Sequence, residues 1–212
     1  MKNLYIFLAH IDDLECATIG YLSKNYKSYD KIHVVIATYW KEKAGIFEEN
    51  LRLLNEKFES KIVYTNLLNK QRQMMSSIDF VKDQFYKLLD FKTSFDILTH
   101  DENDAHTDHR AVSMISMGMV KYANTYVTVY SPSTYNFQPN LFISMNEDEF
   151  KIKKACLDKY NISNEQSYTG LGYYLQSDDH YNIGEAYFLE SYANKHKTKY
   201  AEVYRILKMS LV

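Results

Sequence analysis

The hydrophobic positions of this chain follow two rhythms that alternate from the first residues onward. "NLYIFLA" (3–9) is a continuous apolar run, the pattern of a strand buried on both faces, and residues 15–24 behind it read as a helix. "KIHVVIAT" (31–38) is a second run, rich in β-branched residues, and "KIVYTN" (61–66) is a shorter third. Between them Phe47, Leu51, Leu54 and Phe58 recur at helical spacing and predict a helix over 47–58. Ile78, Val81, Phe85 and Leu89 mark one face of an amphipathic helix over 71–91. "FDILTH" (95–100) and "TYVTVYS" (125–131) read as strands, with a helix over 106–122 between them. This alternation predicts an α/β fold on a mainly parallel sheet.

Beyond Ser131 the rhythm loosens. Pro132 and Pro139 fall here, followed by a short strand "LFISM" (141–145) and a helix over 147–159. Residues 161–184 are polar, hold Gly170, Gly172 and Gly184, and read as a long loop; Tyr200 to Met209 reads as a helix. No internal repeat, linker or low-complexity segment interrupts the chain. Residues 1–212 therefore read as one domain with a less regular C-terminal third from about 132.

Composition narrows the function classes. With 46% hydrophobic and 25% charged residues, the chain is of ordinary globular character, and 212 residues are enough for a sizeable core. Basic and acidic residues nearly balance, 25 against 27, and no long Lys/Arg run exists to track phosphates, which argues against nucleic acid as a partner. No apolar stretch is long enough to span a membrane, and the first one runs straight into charged residues, unlike a signal peptide. Cys16 and Cys156 make no CxxC pair and no disulfide framework, so a reducing, cytoplasmic setting is expected. The 20 tyrosines are mostly scattered singly (Tyr26, Tyr29, Tyr64) and need no special explanation.

The chemistry concentrates where two of the strands end. In open α/β sheets, ligands bind outside the carboxyl ends of the strands. The first strand runs into His10, Asp12 and Asp13, and the strand at 95–100 runs into "HDENDAHTDH", with His100, His106 and His109. Imidazole plus carboxylate is a ligand set that zinc accepts in open, catalytic sites. His10 and Asp13 are three residues apart, so one turn can aim both at an ion, leaving Asp12 beside it, where a base for bound water would sit. His106 and His109 repeat that offset: one can complete the ligand set while the other faces a substrate carbonyl. Helix capping could explain Asp13 or Asp108 singly, but not five such groups at one sheet edge. His33, His180 and His196 read as surface or satisfied core histidines, and His100 has no assigned role. Cys16 reads as packed in the first helix, and Met114, Met117 and Met119 as core-filling. "DENDAH" (101–106) reads as a solvated loop in which Asp104, two before His106, is near enough to touch a substrate.

Two of these stretches carry a resemblance. "AHIDDLE" resembles the A-H-x-D-D-x-E signature of the LmbE/PIG-L family of zinc-dependent de-N-acetylases, and "HTDHRA" (106–111) resembles its second motif, H-x-D-H-R-A; "EAYF" (185–188) is a weaker match to a late segment. The resemblance implies a Rossmann-like three-layer α/β sandwich. It implies that His10, Asp13 and His109 hold Zn2+, with Fe2+ an alternative in the same ligand set. Asp12 would be the general base, and His106 would stabilise the oxyanion and help to protonate the leaving amine. Glu15 and Asp108 would support the site. The implied substrate is a small N-acetylated amino sugar or sugar conjugate; a homo-oligomer is compatible with this reading. The alternatives are an amidohydrolase acting on a non-sugar amide and a non-catalytic, metal-containing sugar-binding protein. There are departures: Ile11 replaces the usual Pro, "CATIG" loses a paired glycine, and Ile46 to Glu49 matches the family's R-x-x-E with the acid but without the Arg that contacts substrate. The missing Arg therefore leaves open the substrate specificity that the resemblance implies.

Overall fold

The computed structural model describes residues 2–131, 133–161 and 200–210. The loop read over 161–184, apart from residue 161, lies outside them, as do His180, "EAYF" and His196. A seven-stranded sheet carries the fold, in the order β3-β2-β1-β4-β5-β7-β6. Strands β1 (Lys2–Leu8), β2 (Lys31–Thr38), β3 (Ile62–Asn69), β4 (Ser94–His100) and β5 (Thr125–Val129) are mutually parallel. β7 (Tyr200–Met209) lies antiparallel between β5 and β6 (Leu141–Met145).

The continuous apolar run of β1 divides by period two between the faces of the sheet. Leu4, Ile6 and Leu8 pack with Leu14 and Leu22 from α1 (Asp13–Ala17) and α2 (Ile19–Asn25), with Phe47 and Leu54 from α3 (Ala44–Lys57), and with Leu157 from α6 (Glu147–Asn161). Tyr5, Phe7 and Ala9 pack on the other side against Val81 and Phe85 of α4 (Ile78–Leu88) and Ala111, Val112 and Ile115 of α5 (Thr107–Met117). The result is the three-layer sandwich with a mostly parallel sheet. Among the described residues no helix is long and apolar enough to cross a membrane.

Three elements differ from the sequence reading. The helix expected over 15–24 is split at Thr18, whose hydroxyl bonds back to the Leu14 carbonyl at 2.5 Å, a local competitor of the helical ladder. The helix restarts with the Gly20 N–H donating to Glu202 Oε2 at 2.7 Å, and a Cβ at Gly20 would stand only 2.7 Å from that oxygen, so close approach requires glycine. The helix expected from 71 begins as a 3₁₀ turn, Met74–Ser77, before α4. The larger correction is Tyr200 to Met209, which forms strand β7 and not a helix. Tyr204 and Ile206 face the core shared with α1 and α2, while Val203 packs with Tyr130 and Phe137 on the opposite face. Two flanking strands supply backbone partners, and that tertiary pairing overrides local propensity.

The strand order reverses between β1 and β4, each of which feeds its chain in opposite directions across the sheet. The crevice outside the carboxyl ends of these two strands is the topological switch point where such sheets bind ligands. His10 leaves one of them and His100 ends the other.

Candidate metal centre

β1 delivers His10 two residues past its last member, and α1 starts at Asp13. That tight exit folds the His10 N–H onto Asp13 Oδ2 at 2.7 Å and brings His10 Nδ1 to 3.4 Å from the same oxygen. From the other strand end, His106 caps α5, its Nδ1 accepting the Asp108 N–H at 3.2 Å, and the first turn of that helix presents Asp108 and His109. His109 Nε2 stands 3.1 Å from His10 Nδ1 and 3.4 Å from Asp13 Oδ1. His10, Asp13 and His109 thus converge from two segments nearly a hundred residues apart.

These donors lie at spacings near those around a tetrahedral ion, with the two Asp13 contacts made by different carboxylate oxygens, Oδ2 toward His10 and Oδ1 toward His109. Zinc bonds of ~2.0–2.1 Å put neighbouring ligand atoms about 3.3–3.4 Å apart, close to the 3.1–3.4 Å separations here. The far nitrogens of both imidazoles also rest on carboxylates, as metal-bound histidines require. His10 Nε2 is 3.3 Å from Asp108 Oδ2, and His109 Nδ1 is 3.0 Å from Asp104 Oδ2. Overlapping groups with ligand atoms within 4.8 Å of one another include His10, His106 and His109; Asp13, His100 and His109; and His10, Asp12 and Asp13. Asp12 therefore belongs to the cluster, and its side chain makes no cap hydrogen bond to α1, which removes the capping explanation for it.

The electrostatics separate the groups by role. Burial alone would raise the Asp13 carboxyl, but the charges of His109 and His100 hold it well below the ordinary carboxylate range. Burial, reinforced by the neighbouring Asp13 charge, pushes Asp12 up to about 6. Burial alone would lower His10 and His109, but hydrogen bonds with Asp108 and Asp13 raise His10 to about 9, and Asp13 and Asp104 raise His109 to about 10. His106 goes the other way, down to about 4, through burial and the two neighbouring histidines. It is neutral at pH 7, and because Nδ1 accepts from the Asp108 N–H, its proton sits on Nε2.

The remaining candidates fall around this cluster. Asp108 is fully buried, and its oxygens also accept from the N–H groups of Arg72 at 2.6 Å and Met74 at 3.4 Å. Arg72 sits at φ 61°, a conformation unusual for a residue with a side chain and here tied down by that bond. Glu15 is buried, accepting from Asn50 at 2.9 Å and the Tyr160 hydroxyl at 3.2 Å, and burial, reinforced by the Asp12 charge, pushes its carboxyl up to about 8. Glu49 of the R-x-x-E match bonds Lys159 on α6 at 2.8 Å. Asp104, read as lying in a solvated loop, is fully buried and turned toward His109 instead of toward solvent. His100 is buried beneath His109, its ring stacked at 3.9 Å, and its Nε2 lies 3.0 Å from the Ala9 N and 3.2 Å from Asp13 Oδ2. Sequence reasoning missed Ser131, Ser133 and Thr134, whose hydroxyls all donate to Asp104. Their signal was a run of hydroxyl residues directly after a strand ending on the same sheet edge.

No protein-family model and no curated protein matches the sequence. Solved structures do match along nearly the whole chain. N,N'-diacetylchitobiose deacetylase from Pyrococcus horikoshii superposes with a TM-score of 0.68 at 13% identity, over 97% of this chain and 83% of that one. The fold is the one that the LmbE/PIG-L resemblance implies. Teicoplanin deacetylase, in a zinc-inhibited form, superposes at 0.61 and 10% identity over 96% of this chain and 97% of its own. The 4-carboxy-2-hydroxymuconate hydratase from Pseudomonas putida KT2440 does so at 0.62 and 14% identity, over 100% and 98%. Deacetylases and a hydratase therefore share this architecture, so function must be argued from the site.

Proposed function

We propose that this chain is a metal-dependent hydrolase that removes an acetyl or other small acyl group from the nitrogen of an amino sugar or sugar conjugate. The observation that carries the proposal is the His10–Asp13–His109 triangle with Asp12 beside it. His10 Nδ1, Asp13 and His109 Nε2 would hold zinc, or iron(II) in the same set. Bound there, the metal would supply Lewis acidity, activating water near neutral pH and polarising the amide carbonyl. Asp12, held near 6, is ionised at pH 7 yet basic enough to take the proton of the attacking water, and it can return that proton to the departing amine. His106 is neutral with its proton on Nε2, so its part is to donate to the oxyanion as the carbonyl becomes tetrahedral; one such donor is typically worth ~3 kcal/mol. The deacetylases among the structural neighbours support an N-acylated sugar conjugate as the substrate class.

The test is primary-amine release from a panel of N-acetylated glucosamine derivatives, before and after chelation. Release should stop on chelation and return with zinc. Asp12→Asn should lower turnover about 10²–10⁴-fold while zinc stays near one per chain. Zinc-loaded protein that frees no amine from any member of the panel would favour the sugar-binding alternative, because a structural metal needs no carboxylate at Asp12.

A further inference from the structure

Asp104 has more donors than a loop needs. Its side chain is fully buried, and a carboxylate cut off from water persists only when paired and hydrogen-bonded. Ser133 Oγ at 2.5 Å and the His106 N–H at 2.8 Å donate to Oδ1; Ser131 Oγ at 2.5 Å and Thr134 Oγ1 at 3.2 Å donate to Oδ2. Backbone bonds from Ala105 N to Ser133 O and from Tyr135 N to Asn103 O, both 2.8 Å, fasten the two loops together. The cap of α5 is His106, so Asp104 does not start the helix. Those contacts already join the loops; the fifth, His109 Nδ1 at 3.0 Å, leads out of them.

We propose that Asp104 is a positioning residue for the metal centre, locking His109 through its Nδ1–H so that the Nε2 lone pair faces His10 and Asp13. This rests on the reading that His109 holds the ion. The Asp104–Nδ1 contact is attractive only if Nδ1 carries a proton, and that leaves Nε2, 3.4 Å from Asp13 Oδ1, as the nitrogen able to ligate. Ser131, Ser133 and Thr134 hold the carboxylate still from the end of a third strand, β5. The ring is thereby fixed in direction as well as in protonation. A partner of this kind is typically worth about 10–100-fold in metal affinity.

Zinc affinity, measured by competition with a chromophoric chelator, tests this without reference to turnover. Asp104→Asn should weaken zinc binding about 10–100-fold and should add nothing further in a His109→Ala background. Additive losses would mean a general structural role, and a dissociation constant within twofold of the parent would mean no role; either overturns the inference. The unmutated protein provides an independent reading should the variant fail to fold. Long-range ¹H–¹⁵N spectra of the zinc-loaded chain should show His109 bound through Nε2, with a downfield, slowly exchanging Nδ1–H; coordination through Nδ1 overturns the proposal. Asp13→Ala separates the two levels. If it abolishes zinc binding while Asp104→Asn does not weaken it, only the Asp104 inference falls; if it leaves zinc binding intact, the metal site itself is misassigned and both readings fall.

Discussion

Lys153→Met should be strongly destabilising although it lies outside the candidate metal centre. Lys153 on α6 and Glu202 on β7 meet at 2.5 Å with side chains only 1% and 3% exposed, so water cannot take over from either partner. Glu202 also accepts from the Gly20 N–H and from the Tyr204 hydroxyl. Removing the ammonium leaves a buried carboxylate with two neutral donors. Breaking a buried pair from one side costs about 3–5 kcal/mol, and the surviving hydrogen bonds favour the lower end, about 3 kcal/mol. In a chain of this size each kcal/mol moves Tm by roughly 2–4 °C, which predicts a fall of about 6–12 °C. The added change Glu202→Gln removes the stranded charge while keeping an acceptor for Gly20, so the double variant should regain at least half of the loss. Urea and thermal unfolding at pH 7 with zinc in excess would measure all three proteins under constant site occupancy. A Lys153→Met protein within 1 kcal/mol of the parent, on the order of a surface pair, or a double variant less stable than the single one, would refute the reasoning.

Other expectations follow from the same geometry. Gly20→Ala should destabilise by about 1–3 kcal/mol in urea unfolding, because the new Cβ meets Glu202 Oε2; the penalty should shrink in a Glu202→Ala background. Stripping zinc with a chelator should lower Tm, by about 2.7 kcal/mol equivalent if the metal had been at a hundredfold its dissociation constant. In the metal-free protein His10 and His109 lie above the free-imidazole value, at about 9 and about 10, so protonation favours the folded form. That contribution is complete below pH ~6.5 and disappears as pH rises through 9 to 10, so metal-free stability should decline over that window in unfolding titrations. Zinc affinity should rise over the same range, because binding displaces those protons; an affinity that is flat with pH would contradict the assignment of the two histidines.

What could be read from the sequence was what local pattern determines. Continuous apolar runs gave the parallel strands, and helical spacing gave α3, α4 and α5, because burial on a sheet face imposes those periods directly. His10, Asp13 and His109 were accessible because each sits just past a strand end or in the first turn of the helix that follows one, where the sheet itself dictates convergence. β7 was not accessible. "YAEVYRILKM" mixes helix formers with β-branched and aromatic residues, and only the two strands on either side of it decide the outcome. The restart of the helix after Thr18 likewise engages Glu202, 182 positions away from the Gly20 amide whose N–H it accepts. Asp104 looked exposed because its neighbours are polar; what buries it is the hydroxyl loop after β5, which no reading of "DENDAH" by itself contains.

The place of β7 in the sheet bears on the order in which the molecule can be assembled. Among the described residues β6 hydrogen-bonds to no strand except β7, which follows it in the chain and separates it from β5. Among the described strands, the segment at 141–145 gains its partner during synthesis only once residues 200–209 have emerged, while the five parallel strands can already associate. A premature stop ahead of residue 200 would consequently strip two strands from the sheet, leaving the flank of β5 bare and open to pairing with other nascent chains.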